Sequence, residues 1–66
     1  MTVLTQILSS TALESASYDT ESQNLTIVFD GGGEYVYEDV PQDVYEGLIR
    51  APSPGKFFHA MIKDVF

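Results

Sequence analysis

The residue types best suited to binding an anion are concentrated near the C-terminus of this chain. The segment A-P-S-P-G-K-F-F-H covers residues 51–59, and four side chains that carry or can take up positive charge lie in or beside it: Arg50, Lys56, His59 and Lys63. The 66 residues are otherwise strongly acidic, since ten Asp and Glu against three Lys and Arg give a net charge of −7. A local group of cations in an acidic chain indicates a site for a compact anionic ligand.

The stretch from Ser53 to Lys56 has the composition of a helix start that could hold a phosphate or a carboxylate. The first turn of a helix exposes N–H groups without intrahelical partners and a partial positive charge. Gly55 would let a ligand approach the backbone, and the Ser53 hydroxyl, the Lys56 ammonium and the Arg50 guanidinium would add contacts. In the alternative interpretation Ser53 only caps the helix and Lys56 is a solvated charge. The spacing of a P-loop is missing.

Aromatic side chains could complete such a site by stacking on a base. Tyr35 and Tyr37 share one side of a predicted strand, and Tyr37 or Phe57 would supply the stacking surface. The alternative is that the two tyrosines pack beneath the helices. We include His59, the single histidine, among the ligand-binding residues, with a purely polar surface role as its alternative. General acid–base catalysis by His59 would need a carboxylate or hydroxyl partner, which sequence alone does not locate, and the chain has no convincing nucleophile–base pair; we expect no catalytic residue.

Neither a metal nor a cofactor is predicted. The chain has no cysteine and one histidine, which excludes the usual zinc ligand sets. The acids Asp30, Glu34, Glu38 and Asp39 do not have the spacing of a calcium-binding loop. They are better suited to a solvated face that blocks edge-to-edge pairing of strands.

Size and composition limit the remaining possibilities. A 66-residue domain buries only about 60% of its unfolded surface, so its stability is marginal. Without disulfides, self-association is the common aid, and we expect a homo-oligomer. No apolar run approaches the roughly 18 residues of a membrane span, and the N-terminus has no signal-peptide pattern. We therefore expect a cytoplasmic protein without membrane contact. The net negative charge opposes binding of duplex nucleic acid.

Hydrophobic periodicity predicts strands first and helices afterwards. Residues 25–30 and 34–40 alternate apolar and polar side chains on either side of a triple glycine, which predicts a β-hairpin, and residues 13–18 add a third strand. One helix is predicted from Pro41 to Arg50 and a second from Pro54 onwards. The predicted fold is α+β: a three-stranded antiparallel β-meander followed by two α-helices packed on the sheet, all within residues 12–66.

Residues 1–11 are predicted to form an N-terminal arm. The spacing of Val3, Leu4, Ile7 and Leu8 is compatible with a short helical turn. An extended arm that packs on a neighbouring molecule fits equally well.

Several of these elements together resemble the KTSC domain, a small domain found at the C-terminus of some lysyl-tRNA synthetases and as a free-standing protein. The matching elements, in order, are S-Y-D (17–19), L-T-I-V-F (25–29), Y-V-Y (35–37), V-P (40–41) and A-x-S-x-G-K-F-F (51–58). The resemblance implies no catalytic activity. The synthetase context implies RNA binding. Free-standing members occur in bacteria and phages; small phage proteins of several folds act as sponges that sequester cyclic nucleotide signals of bacterial defence, and by analogy that role would suit a stand-alone module like this one.

Three functions follow as hypotheses. The first is a non-enzymatic, oligomeric binding module for a nucleotide or cyclic dinucleotide. The second is an RNA-contacting appendage that uses residues 50–63. The third is a protein-interaction or assembly module without a small ligand.

Overall fold

Four strands and two helices make up the computed structural model of the chain, which describes residues 2–8, 12–63 and 65–66. The elements are β1 (Val3–Ile7), β2 (Leu13–Asp19), β3 (Leu25–Phe29), β4 (Glu34–Tyr37), α1 (Gln42–Arg50) and α2 (Pro54–Met61). The strands form one antiparallel sheet in the order β1-β2-β3-β4. The predicted α+β class with an antiparallel sheet and two helices is confirmed, but the sheet has four strands, so the predicted number of three is wrong.

The additional strand, β1, comes from the predicted N-terminal arm. Val3–Ile7 pairs antiparallel with β2, with Val3 opposite Asp19 and Ile7 opposite Ser15. The helical alternative is therefore wrong for these residues. The spacing of the apolar residues here was misleading, because a five-residue strand at the sheet edge buries few side chains and shows no clear alternation. Within β1 only Leu4 is partly buried.

The β3–β4 hairpin forms where the triple glycine predicted it. Gly31 and Gly32 take φ values of 102° and 100°, which side chains disfavour and glycine tolerates. The N–H of Phe29 donates to the carbonyl of Gly33 at 2.7 Å and closes the turn. As a result Phe29, Tyr35 and Tyr37 project from one face of the sheet, because Ile27 pairs with Tyr35 and Leu25 with Tyr37.

An irregularity in β2 keeps that strand in phase with the core. The pairing register with β3 shifts between Leu13 and Ser15. This extra residue lets Leu13, Ala16 and Tyr18 all lie buried on the same side, although strict alternation would put Leu13 on the other side.

Both helices pack on this same sheet face. The ring of Tyr45 in α1 stacks on Tyr18 of β2, with centroids 5.2 Å apart, and Phe58 of α2 makes edge contacts with Phe29 and Tyr37. The buried core contains these residues: Leu8, Leu13, Ala16, Tyr18, Leu25, Ile27, Val40, Tyr45, Leu48, Phe58 and Ile62. Neither α1 nor α2 lies on the opposite face of the sheet.

The i, i+3, i+4, i+7 spacing of Phe58, Met61, Ile62 and Val65 predicts an apolar stripe along the last helix, and the structure buries part of it. Phe58 and Ile62 are buried as expected from the apolar stripe, but Met61 and Val65 are largely exposed. α2 ends at Met61: the N–H of Ile62 donates to the carbonyl of Phe58 in the last regular helical bond, and the N–H of Lys63 donates to the same carbonyl in a wider i→i−5 turn, so Val65 lies beyond the helix and off its stripe.

Candidate functional site

A groove of about 520 Å³ lies between α2 and the β3–β4 end of the sheet. It exists because the two helices do not cover the whole sheet face, so the aromatic residues of the hairpin are only partly roofed. The lining residues are Ala12, Leu13, Phe29, Tyr35, Tyr37, Gly55, Phe58, His59 and Lys63. Its volume lies within the range of pockets that bind small molecules.

Four aromatic rings in edge-to-face contact form the floor of the groove. Tyr35 meets Phe29 with centroids 5.5 Å apart, Phe29 meets Phe58 at 5.3 Å, and Phe58 meets Tyr37 at 5.7 Å. Phe58 is buried and anchors the row, whereas Tyr35 is 62% exposed. The arrangement presents an aromatic surface to solvent, and Tyr35 is its accessible end.

Two basic side chains from α2 and the turn after it line the same groove. His59 contacts the ring of Phe58, with centroids 5.6 Å apart, and Lys63 follows one turn later. The backbone of Lys63 is positioned by its 2.9 Å hydrogen bond to the Phe58 carbonyl. An aromatic surface beside an imidazole and an ammonium is chemically suited to a ligand that joins a flat ring to an anionic group.

The wall opposite α2 is held by the start of β2. The carbonyl of Ala12 accepts a hydrogen bond from the N–H of Asp30 at 3.0 Å, which ties β2 to the end of β3. Leu13 beside it is buried. This wall is apolar, so polar contacts with a ligand would come from the α2 side of the groove, where His59 and Lys63 lie.

The predicted site residues divide into two groups. Tyr37, Gly55 and His59 line the groove together. Arg50, Ser53, Lys56 and Phe57 are described by the structure and are not among its lining residues. The predicted constellation around the start of α2 is therefore not assembled in one cavity.

Arg50, Lys56 and Phe57 of the second group lie elsewhere on the two helices. Arg50 lies on the surface of α1, where its guanidinium is 3.8 Å from the Glu46 carboxylate. Lys56 is exposed. Phe57 packs on α1: a Cβ atom placed on Gly47 would lie 2.8 Å from Cζ of the Phe57 ring.

Ser53 occupies the predicted N-cap position of α2, and Pro54 is the first helical residue. The Ser53 side chain nevertheless makes no capping hydrogen bond, and only its carbonyl takes part, as acceptor of the Phe57 N–H at 3.1 Å. The hydroxyl therefore does not perform the capping role that the alternative interpretation gave it.

Sequence reasoning missed the structural centre of the groove. Phe29, Tyr35, Phe58 and Lys63 all line the groove, but none of them is among the predicted ligand-binding residues. The sequence held signals for two of the missed residues. Tyr35 shares a strand face with the predicted site residue Tyr37, and Lys63 lies four residues after the predicted site residue His59.

Within residues 2–8, 12–63 and 65–66, no group of three or more His, Asp or Glu side chains is placed to hold a metal ion. Across the same residues, none of the helices has the length and apolar character that crossing a membrane requires.

Comparison with known proteins assigns the family. Residues 9–66 match the KTSC domain family, which is nearly the whole chain. The chain belongs to the KTSC domain family. A crystal structure of a KTSC domain protein from Yersinia pestis superposes with a TM-score of 0.91 at 34% identity, and the match covers 98% of this chain and 92% of that one.

Curated relatives show the domain in two settings. A small protein of Tsukamurella paurometabola is 39% identical over 61 residues, and the match covers 92% of this chain and 91% of the relative. The lysine–tRNA ligase of Nostoc punctiforme is 44% identical over 54 residues, which are 82% of this chain but 10% of the ligase. The KTSC domain therefore occurs as a free-standing small protein and as a minor part of a synthetase.

Proposed function

We propose that this KTSC domain is a non-enzymatic module that binds a nucleotide-like anion in the groove beside α2. One observation carries the proposal: the groove brings an exposed aromatic ring, Tyr35, together with two basic side chains, His59 and Lys63. The ring would stack on the base, a contact worth about 1–3 kcal/mol and tolerant of base identity. The basic groups would contact the phosphate.

The geometry supports a small ligand better than a long strand of nucleic acid. The groove is a single concavity of about 520 Å³, and the chain as a whole carries a charge of −7. A long polyanion would meet that charge beyond the groove, whereas a mononucleotide or cyclic dinucleotide would meet mainly the groove itself. A module that binds without turnover would act by sequestration, as in the sponge hypothesis.

The site proposed here differs from the one predicted around Ser53–Lys56. It keeps Tyr37, Gly55 and His59 and adds Tyr35 and Lys63. Lys56 lies on the same helix as His59 and is exposed, but it does not line the groove. It therefore offers a matched control for charge, because removing either lysine changes the net charge equally.

Calorimetric titration with a panel of mono-, di- and cyclic nucleotides tests the proposal. We expect at least one member to bind, Lys63→Gln and Tyr35→Leu each to weaken binding about tenfold or more, and Lys56→Gln to leave it nearly unchanged. The proposal is overturned if no nucleotide binds at about 1 mM. It is also overturned if Lys56→Gln and Lys63→Gln weaken binding equally.

The synthetase relatives favour a second candidate, an RNA-contacting appendage. Arg50 and Lys56 lie outside the groove on exposed surface of the helical side, and they would contact phosphates along an RNA backbone. A transfer RNA should then bind weakly and lose affinity as salt rises, and Lys56→Gln should weaken it. RNA affinity that is independent of salt or of Lys56 would eliminate this candidate.

A further inference from the structure

The exposed edge of β1 has the features of a strand that pairs with another strand. β1 is the first strand in the sheet order, and among residues 2–8, 12–63 and 65–66 only β2 pairs with it. The N–H of Leu8 donates to the Glu14 carbonyl, and the N–H of Thr20 donates to the Thr2 carbonyl. In an antiparallel ladder these bonded pairs recur at every second residue, so the even-numbered residues of β1 bond to β2.

The backbone groups of Val3, Thr5 and Ile7 consequently point away from the sheet. Among the described residues, the Ile7 carbonyl at this edge accepts one long hydrogen bond, 3.4 Å, from the Gln6 side-chain amide. The side chains of Val3 and Ile7 are 54% and 78% exposed. An unpaired edge with exposed apolar side chains is a template for strand addition.

Charge distinguishes this edge from the one at the other end of the sheet. Residues 1–13 contain no charged side chain, whereas β4 begins at Glu34 and is followed by Glu38. Phe29 bonds to Gly33, so the residues of β4 with outward backbone groups are Glu34, Val36 and, just beyond the strand, Glu38. Symmetric pairing of two β4 strands would place Glu34 opposite Glu38, which is unfavourable.

The same symmetry applied to β1 gives a favourable match. When two β1 strands run antiparallel about a two-fold axis at Thr5, Thr5 faces Thr5 and Val3 faces Ile7 of the other copy. The exposed apolar side chains then cover each other on the sheet face opposite α1 and α2, and threonine pairs with threonine. In a chain with a charge of −7, two copies can meet here without placing acids opposite each other.

We infer that this protein forms a symmetric dimer by antiparallel pairing of β1 with β1 of a second copy, which joins two four-stranded sheets into one of eight strands. In the dimer both β1 edges are hydrogen-bonded to each other. The β4 edges that remain are acidic and disfavour pairing with further copies, so the assembly closes at two chains. The inference concerns a surface separate from the ligand groove. Its success or failure is independent of nucleotide binding.

Sedimentation velocity from about 10 µM to about 1 mM protein is the first test, because a small interface gives a concentration-dependent dimer. Thr5→Pro removes an outward N–H without removing a bond to β2, and proline is tolerated at such edge positions. We expect wild type and the control Thr5→Val to dimerise and Thr5→Pro to be monomeric with an unchanged circular dichroism spectrum. A wild type that stays monomeric, or a folded Thr5→Pro dimer, overturns the inference.

A cysteine cross-link keeps the register testable if Thr5→Pro unfolds. The chain has no native cysteine, so a single introduced thiol reports only on contact between copies. Facing Thr5 residues would have Cα atoms about 5.5 Å apart, within disulfide range, whereas two Val3 residues would lie about 13 Å apart along the strands. We expect Thr5→Cys to form disulfide dimers at least tenfold faster than Val3→Cys. Equal rates contradict the proposed register.

Discussion

The hydroxyl of Tyr18 donates a hydrogen bond to the carbonyl oxygen of Val40, 2.5 Å away and 22 positions along the chain. Both residues are buried, and the bond connects the C-terminal end of β2 with the segment that leads into α1. The Tyr18 ring also stacks on Tyr45 of that helix, so one side chain orients α1 by a polar and an aromatic contact.

Removing the Tyr18 hydroxyl should destabilise the fold. Tyr18→Phe keeps the ring but leaves the buried Val40 carbonyl without this donor, which typically costs about 1–3 kcal/mol in the free energy of unfolding. Urea denaturation measures the loss. The matched control is Tyr45→Phe, which removes a hydroxyl from the other ring of the same stack and should cost less. Equal losses in the two variants would contradict this role of the Val40 bond.

Alkaline pH should weaken the fold through the same tyrosines. Burial raises the pKa of Tyr18, with added effects from the Asp43 and Asp19 carboxylates, and burial also raises the pKa of Tyr45. The folded state therefore holds these protons more tightly than the unfolded chain. Stability should be fully present below the unfolded tyrosine pKa of about 10 and fall as the pH rises above it. Melting temperatures from pH 7 to about 11 should show the fall, and it should be smaller in Tyr18→Phe.

Acid should remove a contribution from Asp19 at the β2–β3 turn. Its carboxylate accepts hydrogen bonds from the N–H groups of Glu21 at 2.9 Å and Ser22 at 3.4 Å, and the Glu21 bond chiefly lowers the pKa of Asp19. The resulting stability is present above the unfolded aspartate pKa of about 3.9 and is lost as the pH falls through the lower folded pKa.

Asp19→Ala should therefore melt at a lower temperature than wild type at pH 7, and the difference should shrink as the pH falls below about 4. Asp19→Asn is the control, because an amide oxygen can still accept the two N–H groups without ionising. Its difference from wild type should be smaller at pH 7. A gap between Asp19→Ala and wild type that stays constant in acid would refute the prediction.

The α1–α2 contact should couple Gly47 to Phe57. Alanine at position 47 would gain about 1 kcal/mol of helix propensity but would place its methyl group against the Phe57 ring, at 2.8 Å from Cζ. We expect Gly47→Ala to be neutral or destabilising alone and to stabilise by about 0.5–1 kcal/mol in a Phe57→Leu background. A double-mutant cycle by urea denaturation measures the coupling, and additive effects would contradict the contact.

Elements whose signals are local were predictable from sequence. The alternation of Leu25, Ile27 and Phe29 and the triple glycine defined the β3–β4 hairpin, because side-chain period and glycine φ freedom depend only on neighbouring residues. Pro54 marked the start of α2 for the same reason, since its fixed φ and missing N–H suit a first helical position. The shared face of Tyr35 and Tyr37 also followed from strand geometry.

Features that depend on distant partners were decided by the tertiary structure. Val3–Ile7 becomes a strand because β2 offers it a ladder of hydrogen bonds, and nothing within those five residues records that partner. The groove likewise depends on where α2 lies on the sheet, which brings Tyr35 and Lys63 to one cavity and directs Phe57 to Gly47. The sequence by itself determined the types of β2, β3, β4 and both helices, and the acidic charge. Packing determined which side chains meet, because contacts between distant segments depend on the whole core and not on local propensity.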